Sequence, residues 1–174
     1  MPISLHDAFI PSALQMIGST RHLVKKGERW CEENGNGSGS VIGACLIDDM
    51  LPFSYQVKSV AEHTAGALAA VHKGTYSPDL NPPPTDFAGL HAKLDEAEAA
   101  LRAYTVDEIE SLIGRDMRFE FKDMRLDFTA ENFLLSFAQP NFYFHAATAY
   151  DILRMLGVQI GKRDFTGAVR IKPQ

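Results

Sequence analysis

Three polar residues that could do chemistry recur at helical spacing towards the end of the sequence: Asn141, His145 and Thr148. The periodic stripe that contains them consists of Leu134, Phe137, Asn141, His145, Thr148, Ile152 and Met155. Steps of three or four residues put this stripe on the inward face of one helix. A buried polar group without a partner costs about 1–3 kcal/mol, so three in succession predict a hydrogen-bond network or a hydrated pocket.

A second predicted helix carries a matching polar flank, in which Gln56 and His63 follow one another at helical spacing. If the two helices are neighbours, imidazole, amide and hydroxyl groups meet in one cavity, as in pockets between bundle helices. His145 is the candidate catalytic acid or base, because the ordinary pKa of imidazole lies near neutrality. Asn141 and Gln56 would orient a carbonyl group or stabilise negative charge on it. The candidate ligand-binding residues are Gln56, His63, Asn141, Tyr143, Thr148 and Tyr150.

Each of these residues also has a purely structural interpretation. His145 would then be a hydrogen-bonded core histidine, and His63 a half-exposed residue beside the helix seam. The aromatic residues around Tyr143 would be ordinary core. The polar column would serve only to fix the register of the helices. The sequence leaves both interpretations open.

Several common catalytic motifs are missing from the sequence. It contains no Glu-x-x-His pair, no Cys-x-x-Cys, no Gly-x-Ser-x-Gly and no His-Glu-x-x-His. These absences argue against di-iron, zinc-ribbon, serine-hydrolase and zincin chemistry. The glycine-rich run at residues 34–40 does not follow a predicted strand, which argues against a phosphate-binding loop and favours a flexible surface loop at about residues 34–41.

Four long amphipathic segments must position the candidate residues. The first begins at a Ser4 cap and reaches about residue 31, and its interior Pro11 predicts a kink or a late start. The second covers roughly residues 46–73 and has the clearest heptad pattern. A Thr85 cap begins the third, and a Thr129 cap begins the fourth, which ends near residue 156.

Residues 117–128 change to a period of two, with a turn at residues 122–125, which predicts a short β-hairpin between the third and fourth helices. Residues 157–174 form a basic tail that we expect to pack along the helices or a partner without an element of its own. Four such helices with short or rigid links predict an all-α fold, an antiparallel four-helix bundle. We expect one domain over residues 1–174.

The composition bounds the class of protein. Of 174 residues, 45% are hydrophobic and 22% charged, which is typical of globular domains. The formal charge of −5 argues against nucleic-acid binding, which needs a basic surface. Cys31 and Cys45 cannot build a disulfide framework, so we expect free thiols. Neither a signal peptide nor a membrane span is visible, and we predict a cytoplasmic protein.

The sequence of residues 140–145, Pro-Asn-Phe-Tyr-Phe-His, resembles a known family signature, as do residues 149–154 and 161–165. Residues 48–53 with Gln56 and Val57 resemble it as well. The family consists of uncharacterised bacterial and fungal proteins, described as a domain of unknown function. It belongs to the DinB/YfiT-like superfamily of inferred metalloenzymes. The resemblance spans essentially the whole chain.

The resemblance implies a four-helix bundle, often a homodimer, with a pocket at one end. It also implies a divalent metal held by three histidines, one from the second helix and a His-x-x-x-His pair from the last. In this sequence the second histidine of the pair falls on His145, the first falls on Asn141, and the second-helix ligand falls near Gln56. Zinc and nickel favour imidazole and thiolate ligands, so this set is a poor metal site.

We therefore expect a DinB-like homodimer that binds a small, partly apolar molecule between its helices without a tightly bound metal. The sequence does not decide whether it is an enzyme. One alternative is a metal-dependent transferase or hydrolase, with Zn or Ni bound by His145, Asn141 and Gln56. A second alternative is a non-catalytic structural or interaction protein.

Overall fold

The computed structural model describes residues 3–172, and the remaining ends of the predicted domain and tail lie outside the described residues. Helix α1 spans Leu5–Asn34. The Ser4 hydroxyl caps it by accepting the Asp7 amide at 3.0 Å, and Gly35 ends it with a φ of 65°. Pro11 lies inside the helix, so the late start predicted from this residue is wrong.

The second helical segment begins later than the sequence predicts. It consists of α3 (Phe53–Ala61), a π-helical turn (Glu62–Gly66) and α4 (Ala67–Lys73). The predicted start near residue 46 is wrong because Pro52 disfavours helical dihedrals at the preceding residue. A short helix α2 (Gly39–Ile42) also begins inside the predicted flexible loop.

The third segment, α5, spans Phe87–Ala103. Its cap is Asp86, whose carboxylate accepts the Gly89 amide at 2.7 Å, rather than the predicted Thr85. A further short helix, α6 (Val106–Glu110), follows a capping box formed by Thr105 and Glu108.

A small sheet of three strands, in the order β1-β2-β3, packs beside the helices. The strands β2 (Asp116–Phe121) and β3 (Met124–Thr129) are antiparallel and joined by Lys122 and Asp123, a shorter turn than predicted. Strand β1 (Thr75–Tyr76) pairs in parallel with β2 and was not predicted. Its two residues are too few to show a period-two pattern.

The last long segment comprises α7 (Ala130–Asn132), a second π-helical turn (Phe133–Ala138) and α8 (Gln139–Met155). Met155 is 51% exposed, so its predicted place in the buried stripe is wrong. The tail forms a short helix, α9 (Lys162–Thr166), which lies against α1, where no element was expected.

The long helices pack around a shared apolar core. Helices α1 and α3 both pack against α5 and against α8. Phe9, Phe53, Phe133 and Phe142 are fully buried between them. Burial of each such side chain contributes about 1.5–3 kcal/mol. The fold is therefore mostly helical with a small sheet, and α3 and α8 lie face to face. None of the helices in the described range combines the length and hydropathy that a membrane span requires.

Candidate functional site

The contact between α3 and α8 brings Gln56 and His145 together. The Nδ1 atom of His145 lies 2.7 Å from the Oε1 atom of Gln56. The Gln56 side chain is nearly inaccessible, with 2% of the residue exposed, and its amide nitrogen donates to the Leu51 carbonyl at 2.7 Å. Both polar ends of this buried amide are therefore hydrogen-bonded.

This pair of hydrogen bonds fixes the tautomer of His145. The Leu51 carbonyl can only accept, so the amide nitrogen of Gln56 must point towards it. The Gln56 Oε1 atom then faces His145 and can only accept, so the proton lies on His145 Nδ1. In a neutral imidazole the other nitrogen, Nε2, consequently carries the lone pair. His145 thus offers one hydrogen-bond acceptor beyond its contact with Gln56.

His63 lies at the start of the first π-helical turn and stacks on His145. The two ring centroids are 5.5 Å apart and the planes differ by 12°. Tyr76 and Phe137 flank the His63 ring at centroid distances of 5.6 and 5.9 Å. Its Nδ1 atom is buried and has no hydrogen-bond partner in the part of the chain that the structure describes. We call Gln56, His63 and His145 the histidine cluster.

Both imidazoles of the cluster are neutral at physiological pH. Burial lowers the pKa of His145 to about 4. Burial, together with the neighbouring His145, lowers the pKa of His63 to about 3. Removing an imidazolium from water disfavours the charged form, and two adjacent imidazolium ions would repel each other. Burial also raises the pKa of Tyr76, so its hydroxyl stays protonated. The cluster is polar and uncharged.

The cluster has a small cavity on the His63 side and exposed apolar residues near His145. A cavity of about 20 Å³ is lined by Tyr55, Lys58, Ser59, Glu62, His63, Tyr76, Pro78 and Asp79. This volume has room for one water molecule. Beyond His145, Phe144 packs against the imidazole at a centroid distance of 5.3 Å and is 55% exposed. Leu51, whose carbonyl anchors Gln56, is 51% exposed. Phe144 and Leu51 thus form an exposed apolar rim on the His145 side, whereas the lining of the small cavity is largely polar.

The structure does not bring the other predicted site residues into the cluster. The amide of Asn141 donates to the Phe137 carbonyl at 2.7 Å. The hydroxyl of Thr148 donates to the Phe144 carbonyl at 2.9 Å. Both polar groups are thus bound within their own helical segment. The two tyrosines lie apart from the cluster: Tyr143 packs on Phe142 and Tyr150 packs on Phe165.

Sequence reasoning missed two aromatic neighbours of the imidazoles, Tyr55 and Tyr76. Tyr55 lies 6.2 Å from His145, centroid to centroid, and Tyr76, a residue of strand β1, lies 5.6 Å from His63. The position of Tyr55 directly before Gln56 in the sequence could have indicated that it lies near the site. The position of Tyr76 was not readable, because it depends on strand β1 pairing with a strand some forty residues later.

Comparisons with known proteins agree with this fold. The model of a family described as "Domain of unknown function (DUF1993)" matches residues 5–166. The chain belongs to the DUF1993 family. The resemblance drawn from residues 140–165 is thereby confirmed. No curated protein sequence is significantly similar to this DUF1993 chain.

A solved structure has a similar fold. It is the crystal structure of a DinB family member protein from Shewanella denitrificans, and it aligns with a TM-score of 0.80 and 22% sequence identity. The alignment covers 98% of this DUF1993 chain and 96% of the other. At this identity the likeness concerns the fold alone.

The residues of this DUF1993 chain do not fit the three-histidine metal site that the superfamily resemblance implies. Both polar ends of the Gln56 amide are engaged by His145 and Leu51, which leaves it unable to serve as the helix α3 ligand, and the rings of His63 and His145 are stacked on each other. Within residues 3–172, no three His, Cys, Asp or Glu side chains are grouped closely enough to hold a metal ion. Tight zinc sites need three or four converging ligands of this kind.

Proposed function

We propose that the protein binds a small, partly apolar molecule at the histidine cluster, without a tightly bound metal. The observation that carries the proposal is the orientation of the Gln56 amide, which leaves the Nε2 atom of His145 as an acceptor. The ligand would donate a hydroxyl or amide hydrogen to this atom. Its apolar part would lie against the exposed rim formed by Phe144 and Leu51.

The lowered pKa values favour binding over proton transfer. A general base is most effective when its pKa is near the working pH. The pKa of His145 is lowered to about 4, so the imidazole is a weak base that accepts a proton from a ligand poorly at neutral pH. A hydrogen bond from a neutral donor does not need proton transfer. His145 as a catalytic acid or base therefore remains the less favoured form of the proposal.

The finer features of the assembly also belong to this proposal. We expect the four long helical segments to form an antiparallel bundle of the DinB type, and the protein to be a cytoplasmic homodimer. The contacts of α1 and α3 with both α5 and α8 support the bundle arrangement. Exposed apolar side chains along the last helical segment, Leu135, Tyr143 and Met155, offer apolar area for contact with a second copy.

An NMR titration of the imidazole ¹⁵N signals tests the proposal. The probes are benzyl alcohol and benzamide, which carry a donor on an apolar body, and toluene, which lacks the donor. We expect saturable shifts of the His145 Nε2 signal with the two donors and weaker ones with toluene. Asn141→Ala is the matched control on the same helix and should keep the response. Absence of a saturable shift with either donor would overturn the proposal.

Two variants separate the proposal from its alternatives. His145→Ala should lose the benzamide response while remaining folded. If the polar network is purely structural, His145→Ala instead lowers the unfolding free energy and no probe binds the wild type. If the protein is a metalloenzyme, elemental mass spectrometry after loading with Zn or Ni and desalting finds a stoichiometric metal that His145→Ala loses. Either of those results would contradict metal-free ligand binding.

A further inference from the structure

A groove of about 510 Å³ runs along the exposed side of α1 and shares no lining residue with the histidine cluster. Leu14, Gly18 and His22 of α1 line it, together with Arg102 at the end of α5 and Arg163 of α9. The volume lies within the range of roughly 300–1,000 Å³ that is usual for small-molecule sites. None of these residues belongs to the proposed site.

One wall of the groove is formed by α9 and the residues that follow it, and hydrogen bonds to α1 hold this wall in place. The side-chain amide of Gln15 donates to the Thr166 carbonyl at 2.7 Å, and its oxygen accepts from Arg170 at 3.0 Å. The Ser19 hydroxyl contacts the carbonyls of Asp164 and Phe165. The tail is therefore held across α1 by several polar contacts and forms a defined side of the groove.

Gly18 keeps the middle of the groove open. It is exposed in the interior of α1, and a Cβ atom built there meets no other atom within 4 Å. Gly27 of the same helix is different, because a Cβ there would come within 3.1 Å of Leu153 and Val41. Glycine inside a helix costs about 0.5–1 kcal/mol relative to alanine. At Gly27 the close packing of neighbouring side chains explains why glycine is used despite this cost. At Gly18 packing does not explain it, because the absence of a side chain only leaves the groove open.

Most charges in the groove are paired. Glu98 accepts from Arg21 at 2.6 Å and from Arg102 at 2.7 Å. The carboxylate of Asp164 is hydrogen-bonded to the His22 imidazole and to the Gly161 amide, both at 2.7 Å. Hydrogen bonds hold the pKa of both carboxyl groups below the usual range, so both are ionised.

Arg163 is the exception. Its side chain is exposed, and among residues 3–172 no carboxylate lies within ion-pairing distance of it. A guanidinium group presents a planar fork of donors that matches a carboxylate in a bidentate pair. Beside it the groove offers the open backbone at Gly18 and the partly buried Leu14, both suited to apolar contact.

We propose that this groove binds a small organic carboxylate with an apolar body. The carboxylate pairs with the Arg163 guanidinium, and the apolar part lies over Gly18 and against Leu14. The site is separate from the histidine cluster and does not depend on the function proposed there.

A backbone-amide NMR titration with phenylacetate and its neutral analogue phenylacetamide tests this proposal. Phenylacetate should shift the amide signals of Gly18 and Ala168 saturably, and phenylacetamide should bind about fivefold more weakly, since about 1 kcal/mol corresponds to that ratio. Arg163→Gln should abolish the preference for the acid. Arg125→Gln, on strand β3, is the matched control and should preserve the preference.

A second variant tests the open space. Gly18→Leu should melt at or above the wild-type temperature, because leucine favours the helix, and should bind neither probe. The imidazole signals of the histidine cluster should respond to benzamide as before in both Gly18→Leu and Arg163→Gln. The proposal is overturned if phenylacetate gives no saturable shifts, if it shifts His145 rather than Gly18, or if the Arg163→Gln variant retains the preference for the acid.

Discussion

Acidification should destabilise the protein through its two stacked imidazoles. The pKa of His145 is lowered to about 4 and that of His63 to about 3, while both are near 6.5 in the unfolded chain. Below pH 6.5 both imidazoles bind a proton in the unfolded state but stay neutral in the native state until the pH approaches their lowered pKa values. The unfolding free energy must therefore fall as the pH falls from 6.5, and it levels off only below the native pKa values.

The expected loss is large compared with the stability of a domain. One pKa unit corresponds to about 1.4 kcal/mol, so between pH 7.5 and pH 5 each imidazole removes about 2 kcal/mol. The pair removes about 4 kcal/mol, whereas native domains are stable by about 5–15 kcal/mol. At pH 5 the two groups contribute a slope of about 2.5 kcal/mol per pH unit.

Urea unfolding at a series of pH values between 5 and 7.5 measures this slope. The double variant His63→Phe/His145→Asn removes both titrating groups. Phenylalanine keeps an aromatic ring at residue 63, and the asparagine amide nitrogen takes the place of the Nδ1 donor to the Gln56 oxygen. At pH 5 the unfolding free energy of the double variant should depend less steeply on pH than that of the wild type, by about 2.5 kcal/mol per pH unit.

The control for this experiment is Asn141→Ala, which lies on α8 and adds no titrating group. It should shift the stability curve without changing its slope. If the wild type and the double variant show the same slope between pH 5 and 6.5, the two imidazoles are not held neutral by burial, and the description of an uncharged cluster is refuted.

Two further predictions concern stability and are measured by urea unfolding. Lys58 is 3% exposed, donates to the carbonyls of Asp79 and Asn81 at 2.9 and 2.6 Å, and pairs with the Asp79 carboxylate at 2.9 Å, so Lys58→Met should cost about 2–4 kcal/mol. Lys93→Met, which breaks a more exposed ion pair, should cost about 0–1 kcal/mol, and an equal loss for both would contradict the reasoning. Gly27→Ala should cost about 1–3 kcal/mol because its Cβ would crowd the core, and an unchanged midpoint would show that the neighbouring side chains give way.

The helical part of the fold was predictable because its signals are local. The stripe of α1 and the heptad of the second segment both follow the helical period, and the residues in them are mostly buried. The spacing of Gln56 and His145 on their helices already allowed them to face each other, and the structure has a hydrogen bond between them. The capping box of Thr105 and Glu108 was equally readable and would have revealed α6.

The remainder depended on tertiary packing. A π-helical turn has no residue-type signature, so the segments Glu62–Gly66 and Phe133–Ala138 could not be read from the sequence. The side chains of Asn141 and Thr148 donate to backbone carbonyls one turn earlier in their own helical segment. The helical period of the sequence does not distinguish such a bond from a hydrogen bond to a neighbouring helix. The polar column was visible in the sequence, but not the partner of each of its members.

The packing of α8 and α9 against α1 has a consequence for biosynthesis. Ser19 bonds to a carbonyl 145 residues later, and α1 packs against α8, whose first residue is Gln139. At translation rates of about 5–20 residues per second, the apolar stripe of α1 waits on the order of ten seconds for that partner to be synthesised. During this time the elements available to cover it are α2, α3, α5 and α6. The contacts of α1 with α8 and α9 can form only after those later segments have left the ribosome, and until then the apolar stripe of α1 is exposed to aggregation and chaperone binding.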